Sequence, residues 1–429
     1  MLELPPLAVY VHLPWCVRKC PYCDFNSHAL KPAGESAAPG DGSAAGDASA
    51  AARLPPAQEA AYLNALLADL RQDLPLLEGA ATRPVSSVFI GGGTPSLFSA
   101  EGIAFLLRGL RQELPFAADC EVTLEANPGT LERGRFAGYR QAGVNRISVG
   151  AQTFSAAQLQ ALGRIHGAGD TRAAVAELHA AGLDNHNLDL MYALPGQTTA
   201  EALADVEAAL ALAPPHLSYY QLTLEPGTVF HHRPPAAMPD DEAAADLEAA
   251  AHARLRAAGF HRYEVSAWAQ PGHACRHNLN YWTFGDYLGL GAGAHGKLTR
   301  PSSGEVLRTS KQKQPREYQR DLAAARTVES IPPGDRPFEY MLNALRLADG
   351  FPVEGFEQRT GLPWRTVEPV VERLAALGWL EPAQGLFGPG GAVAERAAAS
   401  AGWRPTARGY AVLNALVEAF LPDNGATAA

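Results

Sequence analysis

Residues 9–28 read VYVHLPWCVRKCPYCDFNSH, and three of the five cysteines in the chain lie in this stretch. Cys16, Cys20 and Cys23 have the spacing C-x3-C-x2-C, and no fourth cysteine follows them closely. Three thiolates on one tight loop can hold a metal ion or an iron–sulfur cluster. A structural zinc site normally needs four protein ligands, and His28 could be the fourth. A [4Fe–4S] cluster on three thiolates would instead leave one iron open, so the spacing alone keeps both alternatives.

The composition indicates a globular protein of two or three domains, because the chain has 429 residues, 47% of them apolar. The formal net charge is 35 minus 45, or -10, which argues against a nucleic-acid partner since phosphate binding depends on clustered Lys and Arg. No secretory signal pattern and no membrane-spanning apolar run are present. An odd, clustered set of cysteines argues against disulfides. We therefore expect a cytoplasmic protein that is not an integral membrane protein.

Residues 29–56 read ALKPAGESAAPGDGSAAGDASAAARLPP and contain almost nothing to bury. A segment so rich in Ala, Gly, Ser and Pro gains too little from burial to offset the entropy lost on ordering. We expect a disordered insertion directly after the cysteine cluster.

Short β-rich runs alternate with helical stretches along most of the chain, which predicts parallel βα units in an α/β fold, either a barrel-like arc or an open sheet. The predicted strands are Ala8–Leu13, Val85–Ile90, Glu121–Leu124, Arg146–Val149, Leu188–Tyr192 and Leu217–Leu224. The predicted helices are Gln58–Leu74, Ala100–Glu113, Leu131–Ala142, Asp170–Ala180 and Ala200–Leu212, with a further helix near Asp241–Ala258.

Unusual residues follow five of these strands, in the segments HLPWC, GGGTP, EANP, GAQTF and ALPGQ. Ligands of both barrels and open parallel sheets gather at the carboxyl ends of the strands. We therefore expect one site at that edge, assembled from these five segments.

The last part of the chain, residues 301–429, reads as a small, mainly helical, winged-helix-like domain. Its would-be recognition helix, Thr366–Leu377, carries Glu368 and Glu372 but only Arg373 as a cation. This charge pattern disfavours DNA reading, so we expect a docking or lid module.

The C-x3-C-x2-C motif with aromatic Tyr22 before its last cysteine resembles the radical S-adenosylmethionine (SAM) superfamily. The segments YVHLPWC, GGGTPS, EANP, SVGAQTF and DLMYALPGQT resemble, in this order, the branch that contains oxygen-independent coproporphyrinogen III oxidase and heme chaperones. The resemblance implies a partial (β/α)6 TIM-like barrel with its extension over residues 1–300, followed by a HemN-like helical domain over 301–429. It also implies a [4Fe–4S] cluster on Cys16, Cys20 and Cys23, with SAM bound to the open iron.

The same resemblance implies a set of SAM contacts. A glycine tract lets the backbone approach a ligand closely, and a carboxylate suits a cationic sulfonium. His12 is expected either near the methionyl end of SAM or as a packed strand residue. One of the expected contacts, Arg164, could equally form a surface ion pair. The set is Tyr10, Tyr22, Gly92, Gly93, Thr94, Glu125, Gln152, Arg164 and Asp189.

Two features separate the chain from the oxidase pattern. The oxidase has a further cysteine where this chain has Phe25, and a segment before YVH that is absent here. The segment HNLNYW, residues 277–282, matches the heme chaperone branch instead. The match implies that His277, Tyr281 and Trp282 contact heme, since histidine can ligate its iron and aromatic rings can stack on the macrocycle. Cys275 is a second candidate ligand.

Three functions follow as hypotheses. The first is a heme chaperone that delivers heme to an unidentified acceptor protein, which could be membrane-associated. The second is the enzyme that decarboxylates coproporphyrinogen III to protoporphyrinogen IX. The third is a zinc-stabilised binding module. No residue is assigned a catalytic role.

Overall fold

The alternating strands and helices of the sequence assemble into one large sheet and one small sheet. The structure, a computed structural model, describes residues 1–30, 54–129, 134–383 and 401–422. The strands in these ranges are β1 (Leu7–Leu13), β2 (Trp15–Cys16), β3 (His28–Ala29), β4 (Val85–Gly92), β5 (Phe116–Ala126), β6 (Arg146–Gln152), β7 (His186–Tyr192), β8 (His216–Gln221), β9 (His261–Arg262), β10 (Ala267–Ala269), β11 (Asp286–Leu290), β12 (His295–Arg300), β13 (Glu305–Lys311), β14 (Arg326–Ser330), β15 (Phe351–Pro352), β16 (Leu380–Ala383) and β17 (Gly402–Pro405).

The helices lie mostly between consecutive strands. They are α1 (Pro56–Asp73), α2 (Ala100–Glu113), α3 (Phe136–Ala142), α4 (Ala156–Ala161), α5 (Ala168–Ala180), α6 (Thr199–Leu210), α7 (Val229–His232), α8 (Asp241–Ala257), α9 (Arg276–Trp282), α10 (Pro315–Arg320), α11 (Arg336–Ala344), α12 (Val353–Thr360), α13 (Glu368–Ala376), α14 (Ala407–Ala411) and α15 (Leu413–Glu418), with 3-10 turns at Leu74–Leu76, Pro95–Leu97 and Trp364–Thr366.

The six predicted parallel strands are present and adjacent, in the order β1-β4-β5-β6-β7-β8. This arrangement confirms the α/β fold and is consistent with the expected partial barrel. A seventh parallel strand, β11, pairs with the free side of β1. Antiparallel strands extend both ends of this series, β10 and β9 beyond β8, and β12, β13 and β14 beyond β11.

The sequence analysis missed β11 because its glycines hide the strand pattern. A Cβ atom at Gly289 would lie 1.8 Å from the backbone oxygen of His295. Glycine in a strand commonly marks such a close backbone approach. The Gly-rich tract therefore forms the tight turn that connects β11 to β12.

The parallel strands are apolar on one face and largely polar on the other. In β5, Val122 and Leu124 are fully buried in the main hydrophobic core, whereas Glu121 and Glu125 on alternate positions face the opposite way, as the two-residue period of a strand requires. The register continues this polar face across the sheet, because Glu125 pairs with Ser148, and Ser148 pairs with Asn187. The inner face of the barrel is thus lined with hydrogen-bonding groups.

Some predicted boundaries differ from the structure. Strand β8 ends at Gln221, three residues before the predicted Leu224, and α3 begins at Phe136, while residues 130–133 at its predicted start lie outside the described residues. Of the expected insertion at 29–56, residues 31–53 likewise lie outside them. The flanking residues of this range belong to regular elements or to the core, since β3 includes Ala29, Leu54 is 2% exposed and α1 begins at Pro56.

A second hydrophobic core belongs to the C-terminal residues, where α11–α15 pack around the three-stranded sheet β15-β17-β16. The large sheet continues past residue 300 through β13 and β14, and the second core also includes Phe284 and Val306, so elements on both sides of the predicted boundary at residue 300 pack together. Helix α13 covers the central part of the predicted recognition helix. None of the helices in the described part of the chain is long and apolar enough to cross a membrane.

A buried ionic network fixes the antiparallel extension to the barrel. Lys311 Nζ on β13 donates to Asp69 Oδ1 and, at 2.8 Å, to Asp73 Oδ2, both on α1. Asp69 Oδ2 also accepts from the Tyr318 hydroxyl at 2.8 Å and from Gly291 N at 3.2 Å. Since Lys311 and both carboxylates have at most 1% of their side chains exposed, each charge depends on the others for compensation.

Replacing Lys311 with Met should lower the free energy of unfolding by about 3–5 kcal/mol, because it leaves Asp69 buried without its cation. Urea unfolding followed by circular dichroism measures the change. Arg320→Ala, which removes an exposed pair with Glu317, is the control and should cost less than about 1 kcal/mol. Equal effects of the two substitutions would contradict a special role for the buried network.

Candidate functional site

The cysteine loop leaves the carboxyl end of β1 and is held there by backbone hydrogen bonds to the glycine tract after β4. Gly93 N donates to Leu13 O at 2.8 Å, and Thr94 N donates to Trp15 O at 2.7 Å. A Cβ atom at Gly93 would lie 2.5 Å from Trp15 O. Glycine is therefore required at this position, because any side chain would separate the two segments.

The far end of the loop is fixed by Asn26. Its Nδ2 donates to Ala292 O at 2.8 Å and to Lys313 O at 2.9 Å, on the segments that flank β12 and β13. Asn26 O in turn accepts from His12 Nε2 at 2.8 Å, and His12 Nδ1 accepts from the Tyr10 hydroxyl at 2.8 Å. Burial lowers the pKa of His12, so a neutral ring makes both bonds and His12 acts as a packed support of the loop.

The three thiols line one cavity of about 140 Å³ at the carboxyl ends of the strands. Eight of the nine expected SAM contacts line the same cavity, whereas Tyr10 lines a neighbouring one. These eight residues are Tyr22, Gly92, Gly93, Thr94, Glu125, Gln152, Arg164 and Asp189. Four of the five predicted segments line the cavity, whereas ALPGQ does not, and Asp189 comes from β7 just before it.

Burial makes two thiols of the loop weaker acids than free cysteine. Burial raises the pKa of Cys16 to about 11 and also raises that of Cys23, so binding as thiolates releases protons. Within the described residues, no three His, Cys, Asp or Glu side chains converge as ligands of one metal ion, and His28 does not line the cavity.

Two carboxyl groups face the thiols from the inner wall of the barrel. Burial, with Asp189 nearby, raises the pKa of Glu125 to about 8, and burial also raises the pKa of Asp189. Asp189 accepts hydrogen bonds from Asn187 Nδ2 at 2.8 Å and from Ser148 Oγ at 3.1 Å, while Glu125 Oε2 accepts from Gly92 N at 3.1 Å. A cation or a hydroxyl-bearing ligand in the cavity would interact favourably with these acids once they ionise.

Arg164 connects the cysteine loop to the barrel and is not a surface ion-pair residue. Its Nη2 donates to Asn127 Oδ1 and, at 2.9 Å, to Gly150 O, and its Nη1 lies 3.7 Å from Cys20 Sγ. Asn127 Nδ2 donates to Thr94 Oγ1 at 3.0 Å. The guanidinium thus spans from β6 to the middle cysteine.

The sequence analysis missed several polar residues of this cavity, among them Ser148 and Tyr220. The Tyr220 hydroxyl donates to Gln152 Oε1 at 2.6 Å, and Gln152 has a φ of 66°, which is uncommon for a residue other than glycine. The sequence signal for Ser148 and Tyr220 was the alternation of polar and apolar residues in RISVGAQ and HLSYYQ, which indicates a polar inner face.

A larger cavity of about 470 Å³ adjoins the first. Phe25, Gly92 and Glu125 line both cavities. Aromatic rings dominate the walls of the larger one, and Tyr281 and Trp282 of the HNLNYW segment are among them. The full aromatic set is Tyr10, Phe25, Phe89, Tyr281, Trp282, Phe284 and Tyr287.

His277 and Cys275 line neither cavity, which differs from their expected contact with heme. The His277 ring packs on Phe89, with ring centroids 4.1 Å apart, and its Nδ1 donates to Glu121 Oε1 at 3.3 Å. Burial lowers the pKa of His277. Cys275 Sγ lies 3.4 Å from His216 Nε2, and burial raises its pKa to about 12. Each of the two side chains therefore has its own partner inside the barrel, Glu121 for His277 and His216 for Cys275.

Glu125 should make the ligand-free protein lose stability as the pH rises from about 4.5 to about 8. The folded state holds the Glu125 proton more tightly than the unfolded state does, so the stabilisation is complete below pH 4.5 and is lost as the pH passes 8. Glu125→Gln should remove this part of the pH dependence of the melting temperature. Glu101→Gln, at an exposed helix position, should keep the wild-type profile, and a Glu125→Gln profile parallel to wild type would contradict the assignment.

Comparisons with known proteins agree with this architecture. Residues 10–209 match the Radical SAM superfamily, and residues 331–387 match the HemN C-terminal domain. The solved structure of coproporphyrinogen III oxidase (HemN) from Escherichia coli superposes with a TM-score of 0.73, covering 97% of this chain and 90% of that chain at 20% identity. This likeness shows a shared fold.

Closer relatives match over nearly the whole chain. The heme chaperone HemW of Escherichia coli is 45% identical over 425 residues, which are 99% of this chain and 100% of the relative. That of Haemophilus influenzae is also 45% identical, over 424 residues, with 99% and 100% covered. The resemblance predicted from the motifs is confirmed, and the chain belongs to the heme chaperone HemW family of the radical SAM superfamily.

Proposed function

We propose that this protein is a cytoplasmic heme chaperone that holds a SAM-ligated [4Fe–4S] cluster, binds heme and transfers it to an acceptor protein. The observation that carries the proposal is the contact between two cavities of different chemistry. One is lined by three thiols, two carboxyl groups and Arg164, and the other mainly by aromatic rings. The relatives named heme chaperones support the heme part of the proposal.

In the smaller cavity, Cys16, Cys20 and Cys23 would bind the cluster. A cluster with three protein thiolates supplies one iron that can accept a further ligand. The glycine tract at 91–93 leaves room for the backbone to approach a nucleotide-like ligand. Glu125 would ionise beside a sulfonium or ammonium group, because a nearby positive charge lowers the pKa of a carboxyl.

In the larger cavity, Tyr281 and Trp282 would stack on the macrocycle of heme. One face of the Trp282 ring is already covered by Arg346, whose guanidinium carbon lies 4.2 Å from the ring centroid. His277 would act from behind this wall, through its packing on Phe89, and we do not assign it as a ligand of the iron.

The oxidase function is the less favoured candidate. Phe25 occupies the position of the further cysteine in the oxidase pattern, and 59% of its surface is exposed. Anaerobic incubation with reductant, SAM and coproporphyrinogen III should therefore yield no vinyl product. Formation of protoporphyrinogen IX by the cluster-loaded protein would reverse this ranking.

Anaerobic reconstitution tests the proposed cofactors. The wild-type protein should bind iron and sulfide, SAM should change the electron paramagnetic resonance spectrum of the reduced cluster, and added heme should give a shifted Soret band. Cys20→Ser should lose most of the iron, whereas Cys120→Ala, at a buried thiol outside both cavities, should retain it. Colourless protein that contains zinc, or a spectrum indifferent to SAM, would refute the cluster assignment.

A further inference from the structure

Two cationic side chains from the antiparallel strands line the larger cavity, which also includes the carboxyl group that it shares with the smaller cavity. Lys297 on β12 and Arg308 on β13 both line it, and so does Glu125 at the junction with the thiol cavity. A ligand with an apolar body and an anionic edge would match this polarity. The two cations differ in what they can still bind.

Lys297 has no donor left for a ligand. Its Nζ donates to Phe284 O at 2.9 Å and to Thr299 Oγ1 at 3.2 Å, and it lies 3.0 Å from Asp286 Oδ1. An ammonium group has three donors, so these contacts use all of them. With 2% of its side chain exposed, Lys297 ties β12 to β11 and is a structural residue.

Arg308 keeps free donors and an open edge. Its Nη1 donates to the Tyr287 hydroxyl at 3.0 Å, and its Nη2 pairs with Glu339 Oε2. A guanidinium has five N–H donors in a fixed plane, so most of them remain for a ligand, and 31% of the side chain is exposed. Glu339 and Tyr287 hold the plane in one orientation, which reduces the entropy lost when a ligand binds.

The same residues join Arg308 to the aromatic wall. Tyr287 packs edge-on against Tyr281, with ring centroids 4.7 Å apart. The HNLNYW segment and the guanidinium therefore form one continuous surface, with rings at one end and donors at the other. Such a surface suits a flat apolar macrocycle that carries a carboxylate at its edge.

We infer that Arg308 is a specificity-determining residue that binds a carboxylate side chain of a tetrapyrrole lying on Tyr281 in the larger cavity. This inference rests on the proposed heme-binding function and adds to it a feature by which the cavity distinguishes between tetrapyrroles. Arginine favours carboxylates because its two parallel N–H groups match their two oxygens. A tetrapyrrole whose carboxylates are masked should lose this contact and keep the stacking.

Titration of the full-length protein with heme and with heme dimethyl ester, followed in the Soret region, tests the inference. Wild type should bind heme about 10- to 100-fold more tightly than the ester, the range expected for one hydrogen-bonded charge pair. Arg308→Gln should remove this preference and leave ester binding unchanged. Arg308→Lys, which keeps the charge without the planar pair of donors, should retain an intermediate preference.

The matched control is Arg300→Gln. Arg300 lies on the same strand pair and also pairs with a glutamate, Glu305, but it does not line the cavity, so its variant should behave as wild type. Equal affinity of wild type for heme and ester, or an undiminished preference in Arg308→Gln, overturns the inference alone. Wild-type protein that binds neither compound overturns the proposed function and the inference together.

Discussion

The structure depends on satisfying a polar surface inside a barrel of parallel strands. Parallel sheets are usually apolar on both faces because both are covered, yet here many side chains on the inner face, such as Glu125, Ser148 and Asn187, bear a donor or an acceptor. Such groups are costly unless each finds a partner. They find partners in one another, as Ser148, Asn187 and His216 do across β6, β7 and β8, and the groups left over at the carboxyl edge, Glu125 foremost, form the site.

Helix α9 completes this arrangement at the opposite edge of the barrel. Backbone N–H groups at its start donate to Glu121, and Asn278 donates to the Tyr263 hydroxyl, which also bonds His216. The last residues of the same short helix, Tyr281 and Trp282, face the larger cavity. A single segment of six residues therefore closes the barrel floor with its first half and lines a binding surface with its second half, and this division explains why its histidine lies apart from the cavity.

Sequence reasoning predicted the elements whose patterns are local. The six apolar runs were sufficient to place the parallel strands, and the family resemblance of the motifs supplied the eight SAM-contact candidates that line one cavity. It did not find β11, since Gly289 makes a close backbone approach to the start of β12 and Gly291 makes one to His12, and glycines carry no polar or apolar period of their own. Nor could it separate His277 from Tyr281, because spacing within one helix does not tell which neighbour across the barrel each side chain meets. Burial and the nearby Glu121 determine where the His277 side chain lies, and both result from tertiary packing.

The tether at Asn26 has a consequence for how the protein is made. Its two carbonyl acceptors, on Ala292 and Lys313, follow it by 266 and 287 residues. A ribosome adding 5–20 residues per second reaches the second of them roughly 15–60 s after it has passed the cysteines. Until then the loop that carries the three thiols lacks the two contacts of Asn26 with the later strands, so the cavity that the thiols line is not complete until most of the polypeptide has emerged.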